Sequence, residues 1–256
     1  HVVFWGPIAR LNVGPLRLGE TFESRRAAVD EVLYAEIAER RRLPADEVAE
    51  RSDILSMLLG ATHEDGTPMG DRELRDELMT LVAAGHETTA TALTWALDLL
   101  LREPAVLARL RADPEDDDYL RAVCQEVLRI RPVVPFVGRV VTEPVRIGET
   151  EVPTGATAVA SIALTHHRPD IFPEPQRFRP ERFLTDGEVP SYGWVPFGGG
   201  VRRCIGASFA QFEMETILRV LARVPLRLAV RRPEPIRATG VTLVPARGVR
   251  LVREPA

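Results

Sequence analysis

Lysine is missing from this chain. All 33 basic residues are arginine, set against 37 acidic ones, for a formal charge of -4. The arginines are spread along the sequence rather than gathered into a stripe. That argues against a nucleic-acid partner, which needs a basic surplus or a basic face. Cysteine is nearly absent: Cys124 and Cys204 are the two in 256 residues. One disulfide between them is conceivable, but so few thiols in a chain this long fit a reducing compartment better. The lack of any C-x-x-C or H-x-x-H spacing argues against zinc. No apolar run approaches the roughly 18 residues of a membrane span. The opening H-V-V-F-W-G-P has no basic region ahead of an apolar one, so it is not read as a signal peptide.

What is present suffices for a real core: 45% of residues are hydrophobic and 27% charged. Val29, Leu33 and Ile37 recur at helical spacing over 22–42, Leu43-Pro44 stops that helix, and Asp46 is placed to cap the next, ending near Leu59-Gly60. The stretch 63–70, H-E-D-G-T-P-M-G, reads as a loop. Asp71 then opens the longest pattern, with no proline until Pro104; a helix over 71–102 would run about 45 Å. Shorter helices are predicted over 104–112 and 119–130, the second ended by Arg131-Pro132. Between 133 and 163, β-branched runs alternate with turn residues and read as a small sheet. Prolines crowd 166–196, an ordered meander without a period. A final helix over 205–224 sets Phe209, Phe212, Ile217, Val220, Leu221 and Val224 on one broad face, and the tail over 225–252 reads as strands and turns. The organisation predicted is one domain over 1–256, mainly α with small β-sheets.

Four short patterns carry chemistry. In F-G-G-G-V-R-R-C-I-G (197–206) glycines permit positive φ and close backbone approach to a flat ligand. A thiol at a helix start beside two arginines has its thiolate form favoured, as a nucleophile or a soft metal ligand. A glycine-rich turn with a buried structural cysteine is the plain alternative. In A-A-G-H-E-T-T-A-T, Gly85 costs the long helix about 1 kcal/mol relative to alanine, and the threonines can bond back to the i−4 carbonyl. The segment is either a small-residue patch packed on another helix or a locally opened turn exposing Glu87 and Thr88. Glu126 and Arg129 of E-V-L-R can pair at i,i+3, ordinarily a surface contact. Arg139 follows P-F-V-G, either as an edge-strand residue or as a carboxylate binder. His166-His167 are read as loop residues and His86 as facing solvent or packing.

Taken together and in order, these patterns resemble the cytochrome P450 family over residues 71–224. The resemblance implies the P450 fold and haem b (iron protoporphyrin IX) as cofactor, with Cys204 the thiolate ligand of its iron. Arg202 and Arg139 match propionate-binding positions, Phe197 the ring near the sulfur, and Gly198 and Gly206 the loop's turning points. Ala84–Thr88 matches the oxygen-activation motif [AG]-G-x-[DE]-T, in which Thr88 and Glu87 pass protons. Glu126, Arg129 and Arg182 of P-E-R-F match a buried charge network that supports the cysteine loop.

The activity implied is a haem-dependent monooxygenase that inserts one oxygen atom from O2 into a small apolar organic substrate. Its electrons would come from a ferredoxin or flavodoxin-type donor in the cytoplasm. Aligning the motifs also implies that the family's N-terminal part is absent. The expectation is then an exposed apolar face and weak or no haem binding by this chain alone. A truncated, non-catalytic haem-binding remnant is the alternative, and a peroxide-using relative a further one. The substrate itself is not legible.

Overall fold

The computed structural model describes residues 18–185 and 189–255; the opening H-V-V-F-W-G-P lies outside them. The contacts group the chain into two compact units, His1–His86 and Glu87–Ala256. The division falls inside the long helix.

In the first unit, α1 (Leu18–Arg40), α2 (Ala45–Ala49), α3 (Ile54–Gly60) and the start of α4 (Asp71–Leu100) surround Ile37, Leu55 and Leu74. Of the row Val29, Leu33 and Ile37, only Ile37 is fully buried, and Val29 is exposed. The reason is that α3 and α4 contribute their core residues opposite the last turns of α1. Asp46 does not cap α2. The N-cap is Pro44, and Asp46 sits in the first turn, where its charge suits the helix dipole. The aspartate that caps is Asp53, which accepts from Ser56 N at 3.0 Å and opens α3. Arg40 donates to Asp53 at 2.7 Å and to Glu36 at 2.8 Å, tying the end of α1 to that cap.

The second unit is built around α6 (Asp117–Ile130). Asp116 caps it through Tyr119 N at 3.0 Å, and ten of its fourteen residues are buried. A helix covered on nearly all sides lies at the centre of its unit. Its apolar residues meet Ala92, Trp95, Ala96, Leu99 and Leu100 of α4, Leu110 of α5 (Pro104–Ala112) and Met214, Leu218 and Ala222 of α8 (Ala207–Ala222). The described helix ends, 100, 117, 207 and 222, lie within three residues of those expected from the sequence.

The expected small sheet is a pair of antiparallel ladders. β1 (Phe136–Val140) pairs with β4 (Thr157–Ser161), with Arg139 opposite Ala158, and β2 (Val145–Ile147) with β3 (Thr150–Val152). β4 runs directly into α7 (Ile162–His166), capped by Ser161. In the tail, β5 (Leu226–Leu228) pairs with β8 (Leu251–Arg253), and β6 (Ile236–Thr239) with β7 (Thr242–Pro245). Two bonds hold the second hairpin to the core: Trp95 Nε1 donates to Leu243 O at 2.9 Å, and Leu243 N to Val133 O at 2.7 Å.

Of the face predicted for the last helix, Ile217, Leu221 and Val224 are half-buried while the rest points outward. Ala207, Met214, Leu218 and Ala222 of α8 are the buried ones. Phe209 and Phe212 are 68% and 65% exposed, and Val220 is exposed as well. Periodicity placed both stripes at helical spacing; which one faces inward is decided by the position of α6. Met214→Ala should therefore cost about 2–5 kcal/mol, whereas Phe212→Ser should stay within about 0.5 kcal/mol. Urea unfolding midpoints of the two variants test this, and equal losses would contradict the burial.

Candidate functional site

Because most of α6 is enclosed, two of its charged residues, Glu126 and Arg129, are enclosed with it. Glu126 and Arg129 are both 0% exposed. They form a two-pronged pair, with Arg129 Nε to Glu126 Oε2 at 2.6 Å and Nη2 to Oε1 at 2.9 Å. Arg182, on a 3-10 turn at Pro180–Phe183, joins through Nε to Glu126 Oε1 at 3.1 Å, and Arg179 N donates to the same oxygen at 2.8 Å. Two guanidinium groups thus share one carboxylate. Other donors turn to carbonyls: Arg129 reaches His166 O, Pro175 O and Arg177 O, and Arg182 reaches Pro173 O, while Arg182 Nη2 is buried without a partner among the described residues. Both arginines also lie over the ring of Phe172, at 5.1 and 6.0 Å. Burial lowers the pKa of Arg182 from its ordinary value. The meander is pinned at four carbonyls, which is why a stretch without a period is ordered.

From Phe172 a row of rings runs towards the cysteine loop. Phe172 meets Phe183 at 6.4 Å, Phe183 meets Trp194 at 5.9 Å, and Trp194 meets Phe197 at 6.2 Å. Trp194 Nε1 donates to Gln125 O, fixing the row to α6. The loop itself turns at Gly198 (φ 71°) and Gly200 (φ 67°), conformations in which a side chain would be strained. Cys204 N donates to Phe197 O at 3.0 Å, closing it. A Cβ at Gly198 would lie 3.9 Å from Val137 of β1, and a Cβ at Gly206 would lie 4.0 Å from Cys204 Sγ. Val137 and Arg139 lie on the same face of their strand, so the loop backs onto the face that bears Arg139.

Cys204 is an exposed free thiol, whereas Cys124 is buried in α6. Burial pushes the Cys124 thiol pKa well above its usual value. The alternative of a buried structural cysteine in the loop is therefore removed. Cys204 lies two residues ahead of the N-cap Gly206 of α8 rather than inside the helix. Arg202 and Arg203 are exposed beside it, and so is Arg139, whose Nη1 donates to Gly138 O.

The α4 group lies apart from the loop in sequence. The helix runs unbroken through Gly85, so the locally opened turn is not seen. Residues 82–86, Ala84 and His86 among them, are exposed, and nothing lies within 4 Å of a Cβ placed on Gly85. Close packing on another helix is not seen there either. Of the threonines expected to bond back, Thr94 does so, to Ala90 O at 2.6 Å. Glu87 and Thr88 are half-buried, and Glu87 Oε1 lies 3.4 Å from Thr242 Oγ1 in β7.

Comparison with known proteins agrees with this geometry. The cytochrome P450 family profile matches residues 5–248. The chain belongs to the cytochrome P450 family. It is 45% identical to cytochrome P450 135B1 of Mycobacterium tuberculosis, over 96% of this chain and 54% of that protein. It is 44% identical to cytochrome P450 137 of the same organism, over 95% of this chain and 51% of the relative. The chain thus spans about half the length of the curated relatives it matches. Among solved structures, a retinoic-acid-bound cyanobacterial CYP120A1 superposes with a TM-score of 0.83 at 29% identity, over 94% of this chain and 58% of that one.

P450s are haem b proteins, and the residues present fit that group. An exposed thiol on a glycine-turned loop suits its iron, and exposed guanidiniums at Arg202 and Arg139 suit its two carboxylates. Among the described residues no helix is long and apolar enough to cross a membrane.

Sequence reading missed His166. Far from being a loop residue, it ends α7, is 0% exposed, and accepts from Val195 N at 2.9 Å through Nε2. The signal available was its i,i+4 spacing from Ile162, also buried. Thr242 was missed as well, and no local pattern marks it.

Glu126→Leu should cost about 3–5 kcal/mol by leaving two buried arginines without their carboxylate, read as a lowered urea midpoint; an unchanged midpoint would contradict the network. The second expectation concerns pH. Burial lowers the His166 pKa from 6.5 to about 4, so the unfolded chain binds the extra proton between those values. Stability is then complete above pH 6.5 and falls as pH drops towards 4. Urea midpoints in wild type and His166→Gln measure this, and the slope should be smaller in the variant.

Proposed function

We propose that this chain carries the haem-binding and proton-delivery half of a monooxygenase site, and that the protein hydroxylates a small apolar organic substrate. The observation that carries the reading is the exposed free thiol of Cys204 on a loop closed by the Cys204 N to Phe197 O bond, in a chain of the P450 family.

Cys204 Sγ would hold the iron of haem b. Arg202 and Arg139 would bind its carboxylates, and the ring of Phe197 would shelter the sulfur from water. Gly198 and Gly206 keep the backbone free of side chains where the macrocycle would approach. Bound haem supplies the activation of O2, by which one oxygen atom enters a C–H bond and the other leaves as water with two electrons and two protons. Thr88 and Glu87 supply the protons: the hydroxyl holds one near the reacting oxygen, and the carboxyl replaces it. Glu87 is steadied by Thr242, and Ala84 lies one turn ahead of the pair on the same unbroken helix. Electrons would come from a ferredoxin or flavodoxin-type carrier in the cytoplasm, attracted by the arginines around the loop.

The carbon monoxide difference spectrum of the reduced protein tests the ligand. Haem-loaded wild type should show a thiolate-ligated band that haem-loaded Cys204→Ser lacks, and the same band in both would remove Cys204 as ligand. Thr88→Ala should lower product formed per electron consumed by about 10-fold or more, with electrons diverted to hydrogen peroxide. Unchanged coupling would remove Thr88 from proton delivery.

A further inference from the structure

We propose that His166 is a positioning residue for the cysteine loop: its neutral imidazole accepts the Val195 N–H and so ties the loop to the buried arginine network. The inference rests on reading Cys204 as the site's ligand, but its geometry is independent of that reading.

His166 is bonded from both sides. Its main-chain carbonyl accepts from Arg129 Nη1 at 2.8 Å, and its Nε2 accepts from Val195 N at 2.9 Å. The path continues without a gap, because Gly198 N donates to Val195 O at 3.0 Å and Cys204 N donates to Phe197 O at 3.0 Å. One hydrogen-bonded line therefore runs from Glu126 through Arg129, His166 and Val195 to the turn that presents the thiol. The ring cannot easily turn away. It packs edge-on against Phe172 at 6.2 Å and 81°, and Phe172 in turn lies under both arginines.

The chemistry requires one tautomer. A backbone N–H can only donate, so Nε2 carries no proton and the neutral ring holds its hydrogen on Nδ1. That Nδ1 is buried, with no short, well-aligned partner among the described residues and with main-chain groups of Leu128 and Arg129 near the ring. The bond to Val195 is what a histidine contributes here that an apolar residue of similar size would not. A half-buried Val195 N–H without this acceptor would lose a bond, and the loop would relax to reach water or another oxygen. Because burial disfavours the imidazolium, the acceptor persists across the neutral range.

Hydrogen exchange on the full chain tests the assignment. In His166→Leu the amides of Val195, Gly198 and Cys204 should exchange about ten-fold faster or more, while those of α6 keep their protection. His166→Gln, whose Oε1 can take the place of Nε2, should restore the protection. No acceleration in the leucine variant, acceleration spread evenly over α6 and the loop, or a glutamine variant that behaves like leucine would each overturn the proposal. Should the leucine variant fail to fold, nitrogen-15 shifts of the wild-type imidazole decide the matter. A proton on Nε2 rather than Nδ1 at neutral pH overturns the assignment. Failure of the Cys204 reading would show in the difference spectrum of Cys204→Ser and leave these exchange results standing.

Discussion

The sharing of one buried carboxylate, Glu126, by two buried arginines is the constraint on which the rest of the second unit depends. Charges in a protein interior are costly unless paired and hydrogen-bonded, and here a single negative charge meets two positive ones, with Arg182 Nη2 left without a partner among the described residues. Carbonyl oxygens supply the balance, and they come from the segment 166–177. That requirement orders a stretch whose prolines forbid a regular ladder. The network is weak evidence for net stability, since two guanidiniums must be desolvated to make it. Its contribution is to specify one path for the chain between α7 and the cysteine loop.

From that path the site inherits its geometry. The aromatic row from Phe172 to Phe197 and the hydrogen-bonded line through His166 leave the same buried core and arrive at the same turn. Packing sets where the loop lies; directional bonds set how its backbone is aimed. Glycines at positive φ then allow a turn tight enough to expose a thiol while its own amide is bonded inward. A second anchor holds α4: Trp95 and Glu87 both reach the β6–β7 hairpin, which is itself bonded to Val133, shortly after the end of α6. The two halves of the proposed chemistry are thus referred to one helix.

Much of this was legible from residue patterns, and the failures share a cause. Local signals located α4, α5 and α6 to within a few residues, because prolines, aspartates and glycines act on their own neighbours. The E-V-L-R and P-E-R-F patterns drew attention to the residues of the buried charge network. Periodicity went wrong where it had to choose between two apolar stripes, as on α8, and where an apolar row met too little partner surface, as on α1. His166 was passed over because its one local mark of burial, the i,i+4 spacing from Ile162, is weak beside the polar residues that follow it.

The sequence by itself determined the kind of residues available at the site and the order in which the chain presents them, since motif spacing and helix punctuation are properties of neighbouring residues. Tertiary structure alone decided that Glu126 and Arg129 are interior rather than surface, that Phe209 and Phe212 face outward, and that His166 bridges the arginines to the loop. Those outcomes depend on which surfaces meet across long separations. A side chain's burial, and with it the cost of its charge or unpaired nitrogen, is set by distant parts of the chain that no local pattern contains.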